Sequence, residues 1–358
     1  MHNIKTGGCF QRYSPSLSRY AYNLQEPIMT ILRRMTAPLV VAICVGSALL
    51  ASAAWGQTAT APIGSVIVGS SVDASSASLV VGVKKGFFKK YGVDATLKVF
   101  PSAQEALESV LTGQVDTTAN GPFNIPPVAA RGGKIRIVAE LERSEFQFGV
   151  AAKAGISQPK DLIGKKVGTQ FNTSTDYYYR LYAKKYGLDE SSISLQNIAF
   201  PQLVPALAKG DIDAFFAFEP LLTRGIETLP GATVLHRSGQ DGVMPLLVFL
   251  GVSEKLYSNK ALSVAFLKGM VEAGDWANAN RDETAAMIAA EFRMKPEDAK
   301  RYVGYFDYSV RLNRNSRDEL DRVNKFLTDR KIVPQAPDLS KIIITDFLKE
   351  AAPTRVTE

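Results

Sequence analysis

Short apolar strands alternate with helix-forming segments between residues 65 and 218, and this alternation limits the possible folds more than any other feature. Apolar or alternating runs predict strands at 65–69, 95–99, 115–119, 135–141, 165–169 and 212–218. The intervening segments have helical periodicity, and several of them end at a glycine. Such a chain forms an α/β fold, in which parallel strands are joined by right-handed crossovers.

Two passages resemble each other and point to two lobes. Residues 106–116 and 203–213 each contain an apolar helix, a glycine, a polar residue, a β-branched residue and Asp. A match this short can arise by chance, but the surrounding strand–helix–strand pattern recurs as well, which favours two related halves. Beyond residue 258 the strand signals stop. The sequence beyond it predicts helices over 262–280, 283–293, 296–303 and 316–329. We expect these helices to pack on the first lobe.

The N-terminal segment has the pattern of a secretory signal peptide. Residues 37–54 carry no charge, Arg33 and Arg34 precede them, and small residues lead up to Gln57. A basic region, an apolar region and a small-residue exit are typical of a cleaved signal. We therefore predict a signal peptide over 1–56, within which 1–28 is a misassigned extension if Met29 is the true start. The alternative is a membrane anchor, because the apolar run is close to the shortest length that spans a bilayer.

The composition excludes several classes of function. Both cysteines and one of the two histidines lie in the first 56 residues. The rest of the chain therefore contains no cysteine and one histidine, His236. We therefore expect no metal centre, no cofactor and no cysteine nucleophile. Residues 1–56 carry a net charge of +4, and subtracting it from the total of +7 leaves +3. A net charge of +3 is too small to indicate a nucleic-acid-binding surface. No activated nucleophile or base stands out, and we do not expect an enzyme.

Candidate ligand-binding residues follow the predicted strands, because ligands bind at the carboxyl ends of strands in open α/β sheets. These residues are mostly hydroxyl, amide or aromatic, and they are Ser71, Asp73, Ser75, Ser76, Asn120, Gly121, Phe123, Asn172, Thr173, Ser174, Thr175, Tyr177 and Glu219. The hydroxyls at 173–175 either cap their own helix or leave its amides free for an anion. Glu219 either accepts from a ligand amine or lies on the surface, and Arg143 either pairs with a ligand anion or forms a solvated salt bridge.

Four short motifs in a fixed order carry a family resemblance. They are Gly86-Phe-Phe-Lys-Lys-Tyr-Gly-Val93, Gly113-Gln-Val-Asp116, Asp161-Leu-Ile-Gly-Lys-Lys-Val-Gly168 and Lys209-Gly-Asp-Ile-Asp-Ala214 with Glu219-Pro220. Over about residues 64–330 the chain resembles the periplasmic substrate-binding proteins of sulfonate-, nitrate- and taurine-type ABC importers.

The resemblance implies a fold, a location and a role. The fold is a two-lobed type II periplasmic-binding-protein fold, with parallel-rich sheets and a two-strand hinge. We expect lobe 1 to comprise 62–147 and 250–350, and lobe 2 to comprise 148–249. The resemblance implies a periplasmic monomer that captures a small organic anion and delivers it to an ABC permease in the inner membrane. The alternative is a binder of a pyrimidine or thiamine precursor, or a related enzyme of the same fold.

Overall fold

The structure is a computed structural model, which describes residues 62–357. The predicted signal peptide, the cysteines and His2 lie outside the described residues. The strands, in chain order, are β1 (Gly64–Ser71), β2 (Val93–Phe100), β3 (Thr117–Asn120), β4 (Ile135–Ser144), β5 (Phe148–Ala152), β6 (Lys166–Thr169), β7 (Ser194–Asn197), β8 (Ala214–Phe218), β9 (Thr233–Arg237), β10 (Leu246–Ser253) and β11 (Phe306–Asp307).

Helices pack on both sides of the strands. In chain order they are α1 (Ala77–Lys84), α2 (Ala103–Leu111), α3 (Ile125–Ala130), α4 (Ser174–Lys185), α5 (Phe200–Lys209), α6 (Leu221–Thr228), α7 (Glu254–Tyr257), α8 (Lys260–Ala279), α9 (Arg281–Phe292), α10 (Pro296–Gly304), α11 (Arg314–Asp329) and α12 (Asp346–Ala351). The chain is therefore α/β, as the alternation predicts.

The strands form two separate sheets, and each sheet is the centre of one lobe. The lobe 1 sheet has the order β11-β4-β10-β3-β1-β2, and the lobe 2 sheet has the order β7-β6-β8-β5-β9. All lobe 2 strands fall between Phe148 and Arg237, and the return strand β10 begins at Leu246. The exact lobe boundaries, 147/148 and 249/250, stay a prediction.

Both sheets are mixed, whereas the sequence predicts parallel-rich sheets. The pairs β1–β2, β1–β3, β6–β7 and β6–β8 are parallel. Strand β10 runs antiparallel to β3 and β4, and β5 runs antiparallel to β8 and β9. These two strands follow the passages of the chain from one lobe to the other. Each of them starts beside the carboxyl ends of its neighbouring strands, because the chain enters the sheet at that end. It therefore runs antiparallel to those neighbours.

Local signals in the sequence explain where the helices begin and end. The Ser102 hydroxyl accepts from the Glu105 N–H at 3.2 Å and donates to the Glu105 carboxylate at 3.0 Å, so Ser102 caps the start of α2. Gly113 and Gly210 follow the two similar helices with φ of +75° and +79°. Only glycine adopts this left-handed conformation without strain, which explains why both helices stop there.

Most of the C-terminal tail packs on lobe 1, but α11 contacts both lobes. Phe266 of α8 stacks on Phe88 of lobe 1, with the ring centroids 4.4 Å apart, so α8 packs on the first lobe. In α11, Leu320 joins a lobe 1 cluster, while Val323 and Leu327 join the lobe 2 cluster around Tyr178. The sequence places the whole tail on lobe 1. The apolar stripe of α11 is instead shared between the lobes.

Two segments cross between the lobes, 145–147 and 238–245, and they run side by side. The Gly239 N–H donates to the Glu145 carbonyl at 2.8 Å, and Arg237 Nη1 donates to the Phe146 carbonyl at 2.8 Å. A Cβ at residue 239 would lie 2.6 Å from the Cα of Glu145 and closer still to its Cβ. The two crossings therefore approach so closely that residue 239 has to be glycine.

Candidate functional site

The carboxyl ends of the strands in both sheets meet at the crossings. In lobe 1, β1, β3 and β4 run in the same direction, and β4 leads directly into the first crossing. In lobe 2, Phe148 at the start of β5 pairs with Phe218 at the end of β8. Four residue steps separate Ser144 from Phe148, so the two edges lie within about 14 Å of each other there. A site between the lobes would be bounded by these edges.

Aromatic side chains close one side of the gap between the lobes. The ring of Phe123, in the loop after β3, lies 5.5 Å from that of Tyr177 in α4. Phe326 of α11 lies 6.0 Å from Phe123 and 5.0 Å from Tyr177. Burial, together with the charge of Glu319, raises the pKa of Tyr177 to about 12, so its hydroxyl is neutral at ordinary pH. The candidate residues Phe123 and Tyr177 thus come together across the lobes.

A second group of charged and aromatic side chains lies beside the first crossing. The guanidinium of Arg237 lies 2.7 Å from a Glu219 carboxylate oxygen and 5.3 Å from the centroid of the Tyr305 ring. Phe146, in the first crossing, lies 5.8 Å from Tyr305. The second oxygen of Glu219 accepts from the Thr223 N–H at 3.0 Å. Glu219 is therefore buried and engaged by an arginine and by α6, rather than lying on the surface.

In lobe 1 the candidate serines and Asp73 gather where β1 leads into α1. The hydroxyls of Ser71 and Ser76 are 3.2 Å apart, and both residues are buried. The Asp73 carboxylate accepts from the Ser75 N–H at 2.8 Å and from the Ser75 hydroxyl. These bonds fix the loop as a turn before α1. Ser71, Asp73, Ser75 and Ser76 therefore form one wall at the carboxyl edge of the sheet.

Asn120 ends β3 and brings an unused donor to the same edge. Its side chain is 1% exposed, and its Oδ1 accepts from Asn124 Nδ2 at 3.2 Å. Its Nδ2 and the Thr118 hydroxyl have no hydrogen-bond partner among residues 62–357. A buried donor without an acceptor is costly, and a bound ligand would relieve that cost. Gly121 follows directly and leads the loop to Phe123.

In lobe 2 the hydroxyls of Thr173 and Thr175 mostly bond to their own helix start. Thr173 Oγ1 accepts from the Thr175 N–H at 3.3 Å and donates to the Gln170 carbonyl at 2.6 Å. The Thr175 hydroxyl lies 2.9 Å from those of Thr169 and Thr173. Capping, one of the two alternatives drawn from the sequence, is therefore observed. Ser174 makes no side-chain hydrogen bond in the described part of the chain, which leaves its hydroxyl for a ligand.

The remaining polar candidates have structural partners. The Asn172 N–H donates to the Asp176 carboxylate at 3.0 Å, and Asn172 has a φ of +62°. Arg143 Nε lies 3.4 Å from Glu140, whose other bonds go to Arg311 and Ser316. Arg143 therefore sits in an ion-pair cluster, although with Glu140 rather than with the acids that flank it directly in the sequence.

Sequence reasoning overlooked Glu142. It lies in β4, two residues before the end of the strand at Ser144, and it is fully buried. The Ser78 hydroxyl donates to its Oε1 at 2.9 Å, and its Oε2 has no hydrogen-bond partner in the described residues. Burial, with a contribution from Asp73, raises the pKa of Glu142 well above the usual 4.5. The sequence contains one signal that could have identified Glu142. It is an acid near the end of a predicted strand, and the residues before it in that strand are largely apolar.

Within residues 62–357, no three or more His, Cys, Asp or Glu side chains are grouped so that they could hold a metal ion. Of the helices described in this range, none has the length and apolar character needed to cross a membrane.

Comparison with known sequences places these features in a family. The sequence pattern of the "NMT1/THI5 like" family matches residues 73–284. A putative binding protein of Brucella abortus is 27% identical over 212 residues, 58% of this chain and 65% of the relative. The taurine-binding periplasmic protein of Escherichia coli is 23% identical over 196 residues, 55% of this chain and 61% of that protein. The matched segment thus spans less than two thirds of the length of these relatives.

Solved structures share the fold. The periplasmic aliphatic sulphonate binding protein SsuA from Escherichia coli superimposes with a TM-score of 0.67 at 17% identity, over 78% of this chain and 92% of that one. The desulfurization enzyme DSZB superimposes with a TM-score of 0.60 at 16% identity, over 81% of this chain and 99% of that one. The same architecture therefore carries a binding protein and an enzyme.

Proposed function

We propose that this chain, which belongs to the NMT1/THI5-like family, is the solute-binding component of an ABC importer. It captures a small organic anion, of the sulfonate, nitrate or aromatic carboxylate class, between its two lobes. It then delivers the anion to a permease in the inner membrane. The protein acts in the periplasm as a monomer, after a signal peptide has been removed.

The observation that carries this proposal is the convergence of both carboxyl edges on the two crossings. Ser71 and Asn120 end strands of lobe 1, and the segment 173–175 follows the end of β6 in lobe 2. Open α/β sheets bind ligands at such edges. Short crossings let two lobes rotate as rigid bodies, with a few residues absorbing the change. The arrangement suits a cleft that opens for a solute and closes over it.

The wall residues offer hydrogen bonds to an anion without a dedicated positive charge. Asn120 Nδ2 and the Thr118 hydroxyl are free donors in lobe 1, and Ser174 has a free hydroxyl at the start of α4 in lobe 2. The unpaired N–H groups in the first turn of α4 add a partial positive charge. The nearby arginines, Arg143 and Arg237, already contact carboxylates. Binding would therefore rest on neutral donors and the helix dipole.

Relatives support a binding role. The Escherichia coli relative is named as taurine-binding and periplasmic, and the Brucella relative as a putative binding protein. DSZB shows that the fold also hosts catalysis. Bond cleavage by a covalent mechanism needs an activated nucleophile. The hydroxyls of Ser71, Thr173 and Thr175 bond to hydroxyl or carbonyl partners rather than to a base. We therefore propose binding without bond cleavage.

Titration calorimetry with the purified protein tests this function. The panel contains nitrate, short alkanesulfonates, aminoalkanesulfonates and aromatic carboxylates, and each mixture is then analysed by mass spectrometry. We expect saturable one-to-one binding of at least one member and its recovery unchanged. At a solute concentration 100-fold above Kd, the unfolding free energy rises by about 2.7 kcal/mol. Binding of none of the panel, or conversion of a bound member to product, would contradict the proposal.

A further inference from the structure

In the described part of the chain, every buried acid except one is paired with a base. Within residues 62–357, six Asp or Glu side chains are buried, and in five of them a carboxylate oxygen lies between 2.6 and 3.1 Å from a basic nitrogen. The five pairs are Asp116–Lys255, Glu140–Arg311, Asp176–Arg180, Glu219–Arg237 and Glu319–Arg322. The sixth, Glu142, has no ion pair in this part of the chain and keeps one oxygen without a hydrogen bond.

No Lys, Arg or His among residues 62–357 forms an ion pair with Glu142. Ser78 of α1 donates to it, and Asp73 of the preceding loop is the nearest acid to influence it. Tyr308, which follows β11, is fully buried, and its hydroxyl donates to the Ala74 carbonyl at 3.3 Å. The guanidinium of Arg281 lies over that ring, at 5.6 Å from its centroid, and donates to the Val303 carbonyl at 2.8 Å.

The fold itself gives no reason for a glutamate at this position. Burying a carboxylate without a partner costs several kcal/mol. A glutamine would accept the same bond from Ser78 and would not carry that cost. A buried acid that keeps an oxygen without a hydrogen bond is common where a ligand completes the site. Glu142 also lies at the end of β4, on the carboxyl edge that faces lobe 2.

We propose that Glu142, with Asp73 beside it, recognises a positively charged ammonium group of the bound solute. This inference rests on the proposed function and makes it more specific. The solute is then a zwitterion: an ammonium group meets Glu142 in lobe 1, and an anionic group meets the Asn120 amide and the start of α4. Two carboxylates around one ammonium give it short, charge-assisted hydrogen bonds.

Matched pairs of solutes isolate the ammonium group. 2-Aminoethanesulfonate is compared with propanesulfonate, and 3-aminopropanesulfonate with butanesulfonate, since each pair exchanges NH₃⁺ for CH₃ at nearly constant size. Hydrogen bonds to charged groups contribute about 1.5–3 kcal/mol. We therefore expect calorimetry to show at least one amino member binding about 10- to 100-fold more tightly than its alkyl partner.

The variant Glu142→Gln removes the charge and keeps the shape and the acceptor for Ser78. It should lose the 10- to 100-fold preference for the amino member, while its binding of the alkyl member stays within about threefold of the wild type. Glu227→Gln makes the same chemical change at an exposed position of α6, outside both crossings, and should leave both affinities unchanged. Circular dichroism and thermal unfolding show that each variant is folded.

The outcomes separate this inference from the proposed function. If alkyl and amino members bind equally, or if Glu142→Gln keeps the preference, the ammonium site is wrong although the protein is still a solute-binding protein. If Glu142→Gln instead strengthens the binding of alkanesulfonates, Glu142 acts as a protonated donor to the anion, and the inference is again wrong. If no solute of the wider panel binds, the proposed function fails first.

Discussion

Replacing Gly239 by alanine should separate the two crossings between the lobes. The new Cβ would lie 2.6 Å from the Cα of Glu145, so the chains must move apart by about an ångström to reach an ordinary contact. Overpacking of this kind costs about 1–3 kcal/mol. The movement also breaks the 2.8 Å bond from the Gly239 N–H to the Glu145 carbonyl, which contributes about 1 kcal/mol. We expect a loss of about 2–4 kcal/mol in the free energy of unfolding.

Differential scanning calorimetry and urea unfolding measure this loss. For a protein of this size, 1 kcal/mol lowers Tm by about 2–4 °C, so Gly239→Ala should lower Tm by about 4–16 °C. Gly304→Ala is the matched control, because its new Cβ meets no atom within 4 Å and its φ is ordinary. If the two variants differ by less than 0.5 kcal/mol, an amount on the order of a neutral surface change, the close approach of the crossings does not constrain residue 239.

Three further predictions concern the walls of the cleft. Thr173→Ala removes the cap of α4 and should cost about 1 kcal/mol in urea unfolding, whereas Ser174→Ala should leave stability unchanged and weaken solute binding in calorimetry. A fully stable Thr173→Ala variant would argue against the cap. Arg237→Ala leaves Glu219 buried without its partner and should lower the free energy of unfolding by about 3–5 kcal/mol. Adding Glu219→Gln should restore much of that loss. If the double variant is no more stable than Arg237→Ala, the ion-pair account is refuted. Because burial raises the pKa of Glu142 above 4.5, the folded chain binds that proton more tightly than the unfolded chain, and its stability falls as pH rises through the raised pKa. Without solute, Glu142→Gln should therefore be more stable than the wild type at pH 8 in urea unfolding, with a smaller gain at pH 5. Equal stability of the two proteins at both pH values would contradict the raised pKa.

Features that depend on neighbouring residues could be predicted from the sequence. Ser102 marks the start of α2 and Gly113 marks its end, because a cap and a left-handed glycine act within one helical turn. The loops at Ser71 and Thr173 were placed at the ends of strands by the same local reasoning. The lobes follow from the repeated strand–helix pattern. These signals are short in range, and one sequence contains them completely.

Features that depend on distant contacts could not be predicted in this way. The antiparallel course of β10 is decided by where the chain re-enters lobe 1, and residues 246–253 look the same in either direction. The shared packing of α11 depends on both lobes being assembled. Glu142 is one acid among many in the sequence. Its burial against Ser78, with no ion pair to any described residue, distinguishes it from the acids that have partners.

Closure of the two lobes over a solute is the central claim, and a distance measured between the lobes tests it most directly. The substitutions Gln104→Cys in lobe 1 and Gln202→Cys in lobe 2 place labels at exposed positions, and residues 57–358 contain no other cysteine. Spin–spin distance distributions are recorded with and without the solute that calorimetry selects. We predict that saturating solute narrows the distribution and moves it to shorter distances. An unchanged distribution at full occupancy would contradict closure.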